Sequence, residues 1–129
     1  MNGRTEKQKV GDLGERAAAK MLEDKGFTVV TCNFHTRYGE IDIIASDEKY
    51  IVFAEVKTRN IDSAAGGAEY VDARKQKKII LSAMLWIEQN NCDLQPRFDV
   101  VEVEYDRRSA SIINTGHIEN AFDAHDLIF

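Results

Sequence analysis

With 129 residues, 43% hydrophobic and 30% charged, the chain has the size and composition of one globular domain spanning residues 1–129. The polar start MNGRTEKQKV lacks the apolar stretch of a signal peptide. No apolar run approaches the roughly 20 residues of a membrane span, so a cytoplasmic protein without membrane contact is expected. The net charge of −5 argues against a broadly basic nucleic-acid coat, yet residues 1–60 balance ten basic against ten acidic groups and the excess acid lies beyond them.

In chain order, VGDLGERAAAKMLEDKGF comes first. Leu13, Ala17 and Met21 recur every four residues, as do Val10, Gly14, Ala18 and Leu22, giving a helix with one apolar face and Gly26 at its C-terminal cap. A strand over Phe27–Cys32 follows, then two strands within GEIDIIASDEKYIVFAEVKTR, from Gly39 to Arg59. Asn60–Gly67 loses periodicity and gains small residues, the mark of a loop. A second helix is expected from about Tyr70 to about Asn90, with Ile79, Ile80, Ala83, Met84 and Ile87 on its buried side. Arg97–Tyr105 reads as a strand, joined through Asp106-Arg107-Arg108 to another over Ser109–Asn114.

Short turns make neighbouring strands antiparallel, whereas the strand ending at Arg59 returns through a helix and should run parallel to the strand at Arg97 by a right-handed crossover. The expected fold is α/β, a mixed sheet flanked by helices. Cys32 and Cys92 are expected to be reduced core residues. The run DARKQKK places Arg74, Lys75, Lys77 and Lys78 together; it reads equally as a phosphate-binding patch or a solvated helix face.

The strands at the centre carry charge. Side chains two apart point the same way, so Glu55 and Lys57 share a face with Ile51 and Phe53, while Glu40, Asp42 and Ile44 share a face on the preceding strand. Closure through two residues, at Asp47-Glu48 or Glu48-Lys49, puts Asp42 opposite Phe53 or Glu55 on the side of Lys57. A three-residue loop without a bulge sends it to the other side. Converging carboxylates inside a sheet lose hydration worth several kcal/mol each, which a hard divalent cation such as Mg²⁺ or Mn²⁺ would relieve. The bland alternative is a strand-end salt bridge from Glu55 to Lys57 or Arg59.

The spacing D-x(12)-E-x-K across a hairpin resembles the PD-(D/E)xK nuclease superfamily and its restriction-endonuclease-like αβββαβ core. More closely, GDLGERAAAKML, Asn33, GEIDIIA, VFAEVKTR and RKQKKI resemble the YraN-like family of bacterial proteins, themselves similar to archaeal Holliday-junction resolvases. The superfamily's proline is replaced by Ile41 before Asp42. The resemblance implies a metal-dependent endonuclease acting on structured or branched DNA, with Asp42 and Glu55 as metal ligands and Lys57 as the catalytic lysine. It adds Glu15 as a third metal-site acid, with a solvent-facing acid of the first helical turn as the equal alternative, and Gln76 as a polar residue of the catalytic site. Lys57, Arg59, Lys75 and Lys78 would be the nucleic-acid contacts. A homodimer would pool basic patches and suit a symmetric junction. The competing reading is a non-catalytic nucleic-acid- or protein-binding module on the same fold.

Overall fold

The computed structural model describes residues 3–62 and 71–124. The elements are α1 (Glu6–Asp24), β1 (Thr28–Thr36), β2 (Gly39–Ser46), β3 (Tyr50–Asn60), α2 (Ala73–Asn90), β4 (Gln95–Asp106) and β5 (Ser111–Phe122). They build one sheet ordered β1-β2-β3-β4-β5, with β3 central. Among the described strands only β3 and β4 pair in parallel, so the sheet is mixed as the sequence implies. The loop residues 63–67 and the expected start of the second helix at Tyr70 lie outside the described residues. No helix among those described is long and apolar enough to cross a membrane.

α1 begins a turn before the apolar pattern does. Thr5 caps it, accepting from the Gln8 N–H at 3.1 Å, while the Gln8 side chain accepts from the Thr5 N–H at 2.9 Å. At its other end Gly26, at φ +98°, closes the helix as expected, with Phe27 N–H donating to the Leu22 carbonyl and Gly26 N–H to that of Glu23. Gly14, Ala18 and Leu22 are the buried residues of α1 and face the sheet. Ala18 and Leu22 pack on Ile43, Val52, Ala54, Val101 and Val103. α2 covers the opposite face, where Ile79, Ile80, Ala83 and Trp86 meet Ile44, Ile51, Phe53 and Phe98.

The approach of α1 to β3 depends on a missing side chain. A Cβ at Gly14 would overlap Thr58 Oγ1 and crowd its Cβ and Cγ2 at 3.0 and 3.1 Å. Gly14→Ala should therefore lower stability by about 1–2 kcal/mol, overpacking outweighing the roughly 1 kcal/mol gained in helix propensity. Urea denaturation reads this directly, and Thr58→Ala should recover part of the loss. An unchanged midpoint would mean that α1 and β3 are not in such close contact.

Several expectations need correction. Met84 is 52% exposed, and Trp86 takes the buried place. Relative to the centre of the stripe formed by Ile79, Ile80, Ala83, Trp86 and Ile87, Met84 is rotated by about 100°. β1 runs on past Cys32 to Thr36, and Cys32 is exposed rather than in the core, although both cysteines are free. β5 starts at Ser111 and continues to Phe122, well beyond Asn114. Its extension is anchored by Asp99, fully buried, which accepts from Arg97 at 2.8–3.3 Å and from the Asn120 N–H at 2.9 Å, and lies 2.7 Å from His117 Nε2. Burial alone would raise the Asp99 pKa; the bonds from His117, Arg97 and Asn120 outweigh it and hold the carboxyl below its usual value.

Candidate functional site: an acid pair in a forked sheet

The β2–β3 hairpin closes through Glu48-Lys49. Asp47 N–H donates to the Tyr50 carbonyl, and the Asp47 side chain accepts from the N–H groups of Lys49 and Tyr50. This two-residue closure fixes an odd-with-even register, Ser46 opposite Ile51 through Ile43 opposite Ala54. One step further the same register sets Asp42 opposite Glu55, but there the ladder stops. β1 stays paired with β2 down to the Thr36–Gly39 pair, and β3 stays paired with β4 up to the Asn60–Tyr105 pair. The sheet thus forks between β2 and β3, and the fork opens at the two acids.

At the fork Asp42 Oδ2 accepts from the Val56 N–H at 2.8 Å, replacing the strand partner that Val56 has lost. The Asp42 carboxyl also hydrogen-bonds Glu55, whose residue is only 5% exposed. Burial, then the charge of Glu55, push the Asp42 pKa up to about 7 despite the opposing bond from Val56. Two largely buried carboxyls in contact cannot both ionise cheaply, and the rise falls on Asp42.

Cations surround the pair. Lys75, in the first turn of α2, places Nζ 2.5 Å from Glu55 Oε1, whereas Lys57 Nζ is 4.0 Å from the same oxygen. The nearest partner of Glu55 is thus neither of the strand-end bases, Lys57 or Arg59, that the sequence offered. Burial works against the Lys75 ammonium, but the hydrogen bond and charge of Glu55 win and raise its pKa. An open cavity of about 360 Å³ exposes the pair, lined by Gly39, Glu40, Asp42, Glu55, Asp72, Arg74, Lys75, Lys78 and Ile79. Asp72 caps α2 by accepting from the Lys75 N–H at 2.8 Å, which sets the helix start at the cavity rim.

Glu15 reaches the fork from α1 without joining the pair. Burial raises its pKa first, a hydrogen bond with Asn33 opposes this, and the charges of Glu40, Asp12 and Glu55 add to the rise. Asn33, for which the sequence suggested no role, adopts a left-handed conformation (φ 54°) in β1. The β1–β2 register brackets it between the Cys32–Ile43 and Phe34–Ile41 pairs, level with Asp42. Its signal in the sequence was its place among the residues that carry the family resemblance. Gln76 sits elsewhere: its amide donates to the Val71 carbonyl at 2.7 Å, and it lines a separate cavity of about 90 Å³ with Val100, Glu102 and Phe122. Arg59 lies on β3 opposite Glu104 of β4 and is not among the lining residues of the acid cavity.

The donor chemistry of Asp42 and Glu55 suits a hard divalent cation, with two hydrogen-bonded carboxyls open to a cavity. Among the described residues no group of three or more histidine, cysteine, aspartate or glutamate side chains is arranged to hold a metal, so Glu15 does not complete a ligand set as it stands.

The element order and mixed sheet define an α/β protein consistent with an αβββαβ restriction-endonuclease-like core. A model of the family described as "Uncharacterised protein family UPF0102" matches residues 14–103, which include Glu15, Asn33, Asp42, Glu55, Lys57 and Lys75. The chain is 41% identical over 117 residues to a UPF0102 protein of Caldanaerobacter subterraneus subsp. tengcongensis, covering 90% of this chain and 96% of that one. A UPF0102 protein of Desulforapulum autotrophicum is 45% identical over 118 residues, covering 91% and 95%. One from Trichlorobacter lovleyi is 43% identical over 120 residues, covering 90% and 91%. The chain belongs to the UPF0102 family, the YraN-like family that its motifs resemble.

Proposed function

We propose that the protein is a Mg²⁺- or Mn²⁺-dependent endonuclease of the PD-(D/E)xK type, acting on structured or branched DNA. The observation that carries this reading is the contact between Asp42 and Glu55 at the fork, with Lys57 two residues along the same strand. A buried acid pair with its lysines costs stability unless something uses it, and phosphodiester hydrolysis uses all its parts. Asp42 and Glu55 would hold the cation. When bound, the cation supplies Lewis-acid polarisation of a phosphoryl oxygen and a lower pKa for its water. Lys57 would face the phosphate and offset the charge that grows on it in the transition state. Lys75 and Lys78 at the rim, with Arg59 further along β3, would attract the DNA backbone. Glu15, steered by Asn33, would keep negative charge beside the pair; Gln76 would act only by supporting the start of α2.

The test is cleavage of linear, flapped and four-way DNA with Mg²⁺, with Mn²⁺ and with chelator, beside an Asp42→Ala control. Metal-dependent cutting that disappears in Asp42→Ala supports the reading. The close Lys75–Glu55 ion pair favours one rival, a nucleic-acid-binding module in which the acids are permanently neutralised. DNA binding without cleavage of any substrate selects that rival, and neither binding nor cleavage removes both.

A further inference from the structure

We propose that Lys75 is the resident counter-ion of the acid pair, held by Glu55 when no metal is bound and released to a DNA phosphate when one arrives. This rests on the endonuclease reading and assigns Lys75 a part in it beyond a static contact. The geometry is asymmetric. Lys57 shares a strand with Glu55 yet stands 4.0 Å from its Oε1, while Lys75 reaches across from another element to 2.5 Å. Glu55 is nearly buried, but the Lys75 side chain is 44% exposed, so the ammonium approaches from the cavity mouth, where a metal would also enter.

Lys75 is poorly placed to stay there for any other reason. It lies in the first turn of α2, at the positive end of the helix dipole, where the capping acid Asp72 accepts from its backbone N–H. Glu55 is its ion-pair partner. A divalent cation on Glu55 would meet that ammonium at a few ångströms in a site of low dielectric, and the two repel. Of the pair, the side chain with an exposed stem is the one that can move. Once displaced, Lys75 joins Arg74 and Lys78, which line the same cavity, in a rim with one more uncompensated positive charge. Metal binding would thus create part of the DNA-binding surface, and DNA would strengthen metal binding by the same factor.

The experiment is titration of the full chain with Mn²⁺, followed by calorimetry and by the Mn²⁺ paramagnetic resonance signal, for wild type, Lys75→Met and Lys78→Met. With its competitor removed, Lys75→Met should bind Mn²⁺ more tightly by about tenfold; Lys78→Met should change much less. In the presence of Mn²⁺, Lys75→Met should bind DNA more weakly. Lys75→Gln serves if Lys75→Met does not fold. Unchanged or weaker Mn²⁺ binding in the variant, with wild-type binding intact, overturns the exchange and leaves the endonuclease reading standing. No Mn²⁺ binding by the wild type removes the metal site itself, and the exchange with it.

Discussion

Lys57→Ala should slow single-turnover DNA cleavage by about two to three orders of magnitude while weakening DNA binding only a few-fold. The separation from Glu55, 4.0 Å, is too long for a hydrogen bond, so Glu55 does not hold this ammonium as it holds that of Lys75. It points from the same strand face as the acid pair and is half-buried, which strengthens its field on a reacting group. The substitution leaves both carboxylates and the rim lysines in place, so a metal and a DNA backbone can still be held. What it removes is charge at the phosphate where negative charge grows. A loss confined to the transition state appears in the rate and not in Kd. The measurement is single-turnover cleavage alongside Kd at several salt concentrations. Equal losses in rate and affinity, with a shallower salt dependence, would make Lys57 one more phosphate contact.

The sheet was legible because its signals are local. Glu48-Lys49 between two apolar runs allowed a two-residue turn, and that closure decides which face Asp42 occupies. The helix between Arg59 and Arg97 required a parallel return, and β4 provides it. The misses come where tertiary contacts overrule a local pattern. Thr5 and Gln8 start α1 inside a stretch that reads only as polar, and Asn33 breaks the alternation of β1 with a left-handed residue that hydrogen-bonds Glu15. β5 reaches Phe122 because Asp99 and His117 meet across β4 and β5, a partnership 18 residues apart that periodicity does not carry. The same holds for the site. Asp42, Glu55 and Lys57 were visible as a spacing, whereas the bond from Lys75 to Glu55 depends on how α2 lies over the fork. Helix orientation follows from core packing, and Met84, read as buried, shows how imprecise that orientation is from sequence.

Without metal, the protein should become less stable as pH rises from about 4 towards 8, by an amount on the order of a few kcal/mol. The sign follows from Asp42. Its pKa is about 7 in the folded chain against 3.8 for an ordinary aspartate, so between these values the folded state binds a proton that the unfolded state does not. Stability tied to this proton is complete below pH 3.8 and is lost as pH climbs through 7. A cation competes with the same proton, so Mn²⁺ should raise the melting midpoint little at pH 5 and most at pH 8. Asp42→Asn separates the two effects. Asparagine mimics the protonated acid: its oxygen can still accept from Val56 N–H, and its amide can donate to Glu55. The variant should therefore melt above the wild type at pH 8 without metal, lose most of this pH dependence, and gain much less from Mn²⁺. Thermal melts of both proteins at pH 5 and pH 8, with and without millimolar Mn²⁺, give all the comparisons. A wild type whose metal-free stability rises over this range, or an Asp42→Asn variant that keeps the full Mn²⁺ response, would mean that the proton and the cation are not exchanged at Asp42.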